Sequence, residues 1–238
     1  MNLSPHCNDT SRPLIFLGSS MNISKLADVC QLTGIKIAGI IDNDYWGNTD
    51  SISGIPVIDS ESCFDDPERL AYYRSNYNFF CATNWSPETD PVTTRNREKR
   101  SRLIDIIDQL NLPCVSLVDP LSRVASTARI GRDVYIDAFA LVESHCEIHD
   151  HATVFAFVGV GHHTHLMRNS VLQRHCSIGG EMIFEPDVFI GIGVRALKTG
   201  AKFGRGTFVH ESVYIRRGTI PNEVVKQGGD NMSRVTVS

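Results

Sequence analysis

Seven of the chain's nine histidines fall between His145 and His175. Imidazole titrates near neutral pH and can take a proton from an amine or a hydroxyl, so this stretch is where proton-transfer chemistry is to be sought. His162 and His163 are adjacent in Gly161-His162-His163-Thr164. His145 precedes His163 by eighteen residues, and Gly180 follows His162 by the same interval. If the chain repeats every eighteen residues, His145 stacks on His163 and the Gly180 N–H lies one turn from His162. There it could face the oxygen of a thioester as that oxygen becomes an oxyanion. His175 has the same phase within a six-residue unit but falls on another face. His149, His151 and His165 read as solvated corner residues. A three-histidine zinc site is the alternative chemistry for such a set.

The element that must position these side chains is written in the sequence with a period of six. Ile130, Ile136, Val142, Ile148, Val154, Val160, Leu166, Leu172, Ile178, Phe184, Ile190 and Ala196 are all apolar. At 42% hydrophobic content, twelve in a row would arise by chance about 3 times in 100,000. A second row two residues earlier, from Ala128 and Val134 to Val188 and Val194, is mostly small or β-branched. One extra residue near Thr199–Gly200 shifts the frame, and the pattern resumes at Phe203, Val209 and Ile215. Helices and isolated strands do not repeat every six residues, and sandwich strands keep no constant period across their turns. A coil of triangular turns does, with three short strands and three corners per turn, stacked about 4.8 Å apart. The expectation is a left-handed parallel β-helix of hexapeptide repeats over residues 120–222, followed by a C-terminal tail over 223–238.

The preceding residues, 12–119, read differently. Short apolar runs at Leu14–Leu17, Lys36–Ile41, Asn78–Ala82 and Cys114–Val118 alternate with helical patterns at 22–32, 61–69 and 96–110. That alternation predicts a small parallel α/β domain, Rossmann-like in its first βαβ unit. Ligands of such sheets bind beyond the carboxyl ends of the strands. Gly18, Ser19 and Ser20 after the first strand, and Asp42 and Asn43 after the second, therefore share one candidate binding edge. The glycine turn and helix start suit a phosphate, and the acidic residue suits a ribose or sugar hydroxyl.

A net charge of −4 leaves no basic footprint for nucleic acid. No apolar run approaches the ~20 residues of a membrane span. Seven cysteines without CxxC spacing fit reduced thiols of a cytoplasmic protein. Lys198, Arg205, Arg216 and Arg217 are cations placed to meet phosphates, or a solvated face.

Taken together, Leu14-Ile15-Phe16-Leu17-Gly18-Ser19-Ser20, Ile41-Asp42-Asn43-Asp44, Gly54-Ile55-Pro56-Val57 and the histidine-bearing coil resemble the sialic acid O-acetyltransferase and UDP-4-amino-sugar N-acetyltransferase family of hexapeptide acyltransferases. The resemblance covers Leu14 to about Ile220. It implies an acetyl-CoA-dependent acetyltransferase acting on an amino or hydroxyl group of a nucleotide-linked sugar. Gly161-His162-His163 resembles the family's Gly/Glu-His-Asp/Asn motif, which carries the general base to His162. His163 stands where the family has an acidic or amide residue. His175-Cys176-Ser177-Ile178-Gly179-Gly180 is similar to the family's later histidine and Gly-Gly segment. The turn Phe189 to Gly193, with Ile192 and Gly193, matches where the family's coil receives acetyl-CoA, and Lys198, Arg205 and Arg216 would then meet the coenzyme's phosphates. Because a single coil has no deep cleft, a homotrimer with sites between neighbouring coils is expected. The alternatives are a non-catalytic sugar-binding or scaffold protein on this fold and a zinc hydrolyase of carbonic-anhydrase type.

Overall fold

The computed structural model describes residues 10–19, 23–83 and 91–226; Ser20, a candidate binding residue, lies outside them. The chain divides into two compact units between Leu117 and Val118.

In the first unit the strands are β1 (Leu14–Leu17), β2 (Ile37–Ile41), β3 (Ser51–Ile52), β4 (Ile55–Asp59) and β5 (Asn78–Cys81). The helices are α1 (Ile23–Thr33), α2 (Pro67–Asn76) and α3 (Pro91–Gln109). The sheet order is β3-β4-β2-β1-β5. All pairings are parallel except the β3–β4 hairpin at the edge. β1 has a strand on either side, and its four residues Leu-Ile-Phe-Leu are fully buried. That is the continuous apolar run expected of a parallel strand covered on both faces. Ile23, Leu26, Val29 and Cys30 form the buried stripe of α1. Gly34 ends that helix at φ +73°, where only glycine is unstrained, and the Ile35 N–H returns to the Cys30 carbonyl. Asp66 caps α2 by accepting from the Glu68 and Arg69 amides.

Cys114–Val118, expected as a fourth strand of this sheet, is not one. Cys114 makes a single bridge to Phe79, and Leu117–Val118 instead starts a sheet of the second unit. A five-residue apolar run cannot by itself show which sheet it joins.

The second unit is the expected left-handed parallel β-helix, with parallel sheets of six, five and seven two-residue strands. Partners lie eighteen residues apart, as in Leu141↔Gly159 and Glu147↔His165. Across the inserted residue they lie nineteen apart, as in Ile183↔Lys202, and in the last turn sixteen apart, at Phe208↔Val224. The strand Val224–Val225 adds a last rung past residue 222, pairing with Phe208–Val209. Every member of the apolar row from Ile130 to Ala196 is buried, as is every member of the row from Ala128 to Val194. Four of the interior polar groups follow one rule. Cys146, Thr164, Ser170 and Cys176 each donate to the carbonyl fifteen residues on, at Gly161, Gly179, Glu185 and Gly191. Small hydroxyls and thiols are thus satisfied inside the coil without water.

The corners carry the strain. Asp133, Phe139, His145, His151, Phe157, His163, Asn169, His175, Glu181 and Asp187 all have φ between 56° and 63°, apart from His163 at 55°. This left-handed conformation costs an ordinary residue about 1–2 kcal/mol, and Asn, Asp and His tolerate it best. In return most of these corner N–H groups reach a carbonyl of the preceding turn, as His163 does to Ser144 and Glu181 to His162, while His145 donates to the Thr127 hydroxyl.

Candidate active site

The corner that turns the strand Gly159–Val160 into the strand His165–Leu166 presents His162 and His163 to solvent. The eighteen-residue repeat places His145 against His163, with ring centroids 4.8 Å apart. His162 stands nearly perpendicular to His163, at 85°, and their Nδ1 atoms are 3.1 Å apart. Two facing imidazole nitrogens at that distance need one proton between them. When His162 supplies it, Nε2 of His162 carries the free lone pair and His163 acts as acceptor. The position that holds an acid or amide in the resembling family thus still carries an acceptor for His162, though a neutral one. Glu143 supplies an acid nearby, but it accepts from the His162 backbone N–H at 2.9 Å, not from the ring.

One turn on, Gly180 lies beneath the Nε2 end of the His162 ring. A Cβ on Gly180 would stand 2.8 Å from both Cε1 and Nε2. The amides on either side of it are engaged, Gly179 with Ala196 and Glu181 with His162. The Gly180 N–H donates to no backbone acceptor among the described residues. An open donor and an imidazole therefore meet on one outward corner.

His175 belongs to another corner column. Its ring stacks on Phe157 at 4.9 Å and 2°, and Phe157 stacks on Phe139 at 5.1 Å and 15°. Phe139 and Phe157 are each about half exposed, at 54% and 50%. Gly193 continues this column at φ +70°, and the adjacent Ile192 is 50% exposed. Within one chain, then, His175 and His162 stand at different corners.

The cations separate into two kinds. Arg205 is tied to Asp187 at 3.1 Å, and Arg217 to Glu223 at 2.5 Å. Lys198 and Arg216 are exposed and form no ion pair among the described residues. They share a corner region, because the Leu197 N–H donates to the Ile215 carbonyl.

Two of the histidines expected to be solvated are not. His151 is fully buried at its corner with Nδ1 2.6 Å from Asp133. His149 is 9% exposed, and burial lowers its pKa below the ordinary histidine value. Each meets an acidic side chain, Asp133 for His151 and Glu147 for His149, which a corner pattern does not reveal.

In the first unit, Gly18 (φ +71°) and Ser19 do lie at the same sheet edge as Asp42, since the Gly18 N–H donates to Ile41. A Cβ on Gly18 would collide with Thr83 Oγ1 and stand 2.6 Å from Leu103 Cδ1. Asp42 is fully buried with both oxygens engaged. Oδ2 accepts from Ser19 Oγ at 2.9 Å, and Oδ1 from the Asp44 amide and from Lys99 Nζ at 2.6 Å. Lys99 also pairs with Asp44 at 2.7 Å. Asp42 therefore organises the edge from beneath and does not offer a free carboxylate to a sugar. Asn43 is exposed, but its Oδ1 accepts from the Glu61 amide. Thr83 Oγ1 is buried there without a partner. Sequence reading missed Lys99. The signal was present, because Lys99, Leu103, Ile106 and Leu110 follow helical spacing, so the lysine falls on the apolar stripe of α3.

No protein-family model matches the chain, and no curated protein matches it by sequence. Solved structures do match in shape. WeeI from Acinetobacter baumannii AYE aligns with a TM-score of 0.73 at 14% identity, over 90% of this chain and 96% of that one. A mutant of perosamine N-acetyltransferase from Caulobacter crescentus, in complex with CoA and GDP-perosamine, gives 0.63 at 17% identity, over 91% and 94%. The acetyltransferase domain of PglB from Neisseria gonorrhoeae FA1090, in complex with acetyl coenzyme A, gives 0.51 at 19%, over 94% and 99%. At these identities the likeness is one of fold, from an α/β unit through the whole coil. Among the described residues no helix is long and apolar enough to cross a membrane.

Proposed function

We propose that the chain transfers the acetyl group of acetyl-CoA to an amino or hydroxyl group of a nucleotide-linked sugar. The observation that carries this reading is the meeting of His162 with the open N–H of Gly180 on an exposed corner. Further support comes from the fold likeness to an N-acetyltransferase holding CoA and GDP-perosamine and to a domain holding acetyl-CoA.

The chemistry follows from the tautomers. With Nδ1–H of His162 donated to His163, Nε2 accepts the proton of the attacking amine or hydroxyl. The nucleophile adds to the thioester carbonyl, and the Gly180 N–H stabilises the oxyanion. Collapse breaks the carbon–sulfur bond, and the departing thiolate takes the proton back from His162. No acyl-enzyme is required. Ile192 and Gly193 would line the coenzyme's path, and Lys198 and Arg216 its phosphates; Arg205 would first have to leave Asp187. His175 would complete the site from a neighbouring chain of a homotrimer. The acceptor's nucleotide would rest on the Gly18–Ser19 edge, near Asn43, Asp44 and Lys99.

The decisive experiment is release of free CoA thiol from acetyl-CoA by the purified chain, across a panel of UDP-, GDP- and dTDP-linked amino and hydroxy sugars. Turnover on at least one, lost in His162→Ala, supports the proposal. Acetyl-CoA binding with no turnover on any of them would favour a sugar-binding protein that has kept the fold without the reaction.

A further inference from the structure

Outside the His162 corner, a second group of side chains converges on the coil. Glu147 and His165 are register partners on neighbouring parallel strands, and both point outward because Ile148 and Leu166 point in. His149 follows Glu147 by two residues and so shares its face. Their donor atoms meet. Glu147 Oε2 stands 3.2 Å from His165 Nδ1 and 3.5 Å from His149 Nε2, and all three atoms lie within 4.8 Å of one another. His149 Nε2 is buried and makes no well-formed hydrogen bond, its nearest acceptor being the Glu147 carboxylate at 3.5 Å. Among the described residues, Arg129 is the one cation that approaches, with Nη1 3.8 Å from the other carboxylate oxygen, Oε1.

We propose that Glu147, His149 and His165 bind a divalent transition metal of the zinc class. The donor set, two imidazoles and a carboxylate, suits zinc. Zinc–ligand bonds of about 2.0–2.1 Å in a tetrahedron separate the donors by roughly 3.3 Å, and two of the three edges already have that length. A metal would also give the buried His149 Nε2 a ligand bond in place of that long contact. His165 and Glu147 are partly exposed, with side chains 41% and 27% accessible, so the fourth ligand would be water. The site bridges two successive turns of coil, and His165 follows His162 by three residues. A bound ion would therefore pin the strand that leaves the proposed catalytic corner. The site is separate from the transfer reading, which uses none of these three residues.

The test uses the full-length chain, stripped with a chelator and titrated with zinc alone in competition with a chromophoric chelator. Cobalt, added in place of zinc, reports tetrahedral geometry by its ligand-field absorption. The expected result is one tight equivalent per chain. His165→Ala and Glu147→Gln should each weaken it beyond the ~100-fold that loss of an outer partner costs. Both side chains are partly exposed, so these variants should fold, and zinc should raise Tm in the wild type but not in either of them. His162→Ala and His163→Ala should bind zinc as the wild type does. Wild-type affinity in His165→Ala, absence of a tight equivalent in the wild type, or loss of zinc in His162→Ala would each overturn the assignment. Because the readout is binding, its failure leaves the thiol-release result standing, and the reverse holds too.

Discussion

The Nε2 end of His162 rests on Gly180, so close that a Cβ there would come within 2.8 Å of the ring. The glycine is needed at this point for room and not for its backbone, since its φ is not in the left-handed region. Gly180→Ala should therefore leave the coil folded and push the imidazole aside. A displacement near 1 Å costs about 100-fold in rate. The expected outcome is a kcat lowered by that order with Tm close to wild type. A variant with full kcat would mean that the ring does not work from this position.

His162→Ala should abolish transfer, and His163→Ala should cost less, because His163 only accepts from the Nδ1 side. His163→Asn, which can offer an acceptor to the same nitrogen, should recover part of the lost kcat. Equal and complete loss in both alanine variants, with no recovery by asparagine, would point to a paired role for the two rings.

Burial raises the thiols of Cys30, Cys63 and Cys176 from 9.0 to about 12. At pH 8 the native chain should resist alkylation at these three sites and react there only after denaturation, as mass spectrometry would read. The linkage sign is fixed by the same shift. The unfolded thiols lose their protons near 9, while the folded ones keep theirs to about 12. Stability from this source is complete below pH 9 and declines as pH rises through that window. Urea midpoints that rise between pH 9 and 11 would contradict it.

Lys99→Met should be severe for the first unit. It leaves the fully buried Asp42 without its cation, and breaking a buried pair from one side costs about 3–5 kcal/mol. The second unit has its own core. Thermal unfolding of the variant should show the first unit melting early while the coil keeps its transition. A single unchanged transition would show that the pair contributes little.

The trimer is tested by mass and by mixing. Light scattering should give about three times the 26.4 kDa chain. Mixed His162→Ala and His175→Ala chains should regain activity only if one site draws on two chains, because within a chain the two histidines occupy different corners. An active monomer would remove the shared site.

The coil was legible because its interior imposes one rule on every rung. Ile130 through Ala196 had to be apolar, and the extra residue near Thr199 showed as a slip in that row. The stacking of His145 on His163 followed from the same count. The Asp42–Lys99 pair was not legible in this way. It joins a strand end to a helix 57 residues on, and no local pattern sets such a partner. His149 and His151 were misjudged because corner and strand positions say which way a Cβ points, but not which groups the rest of the side chain meets. The end of the last strand of the α/β sheet failed for a related reason, since Leu117–Val118 is a strand whose partner belongs to the next unit.

The inserted residue between Gly193 and Gly200 has a consequence for changes in length. Corners on either side of it keep their left-handed glycines, at φ +70° and +74°, and Lys198 and Thr199 between them face outward. The slack is taken up entirely outside the triangle, so the ladder resumes in phase at Lys202–Phe203. Along the regular rungs before the inserted residue every step is eighteen residues, so length there can change only in whole turns. Removing six residues would rotate everything beyond the cut by one face and part Gly180 from His162. Removing eighteen would shorten the prism by one rung and keep every later face aligned. The bend at Lys198–Thr199 is where the coil has already accepted a foreign residue, and it is the place to graft a loop or a label without disturbing the rungs above it.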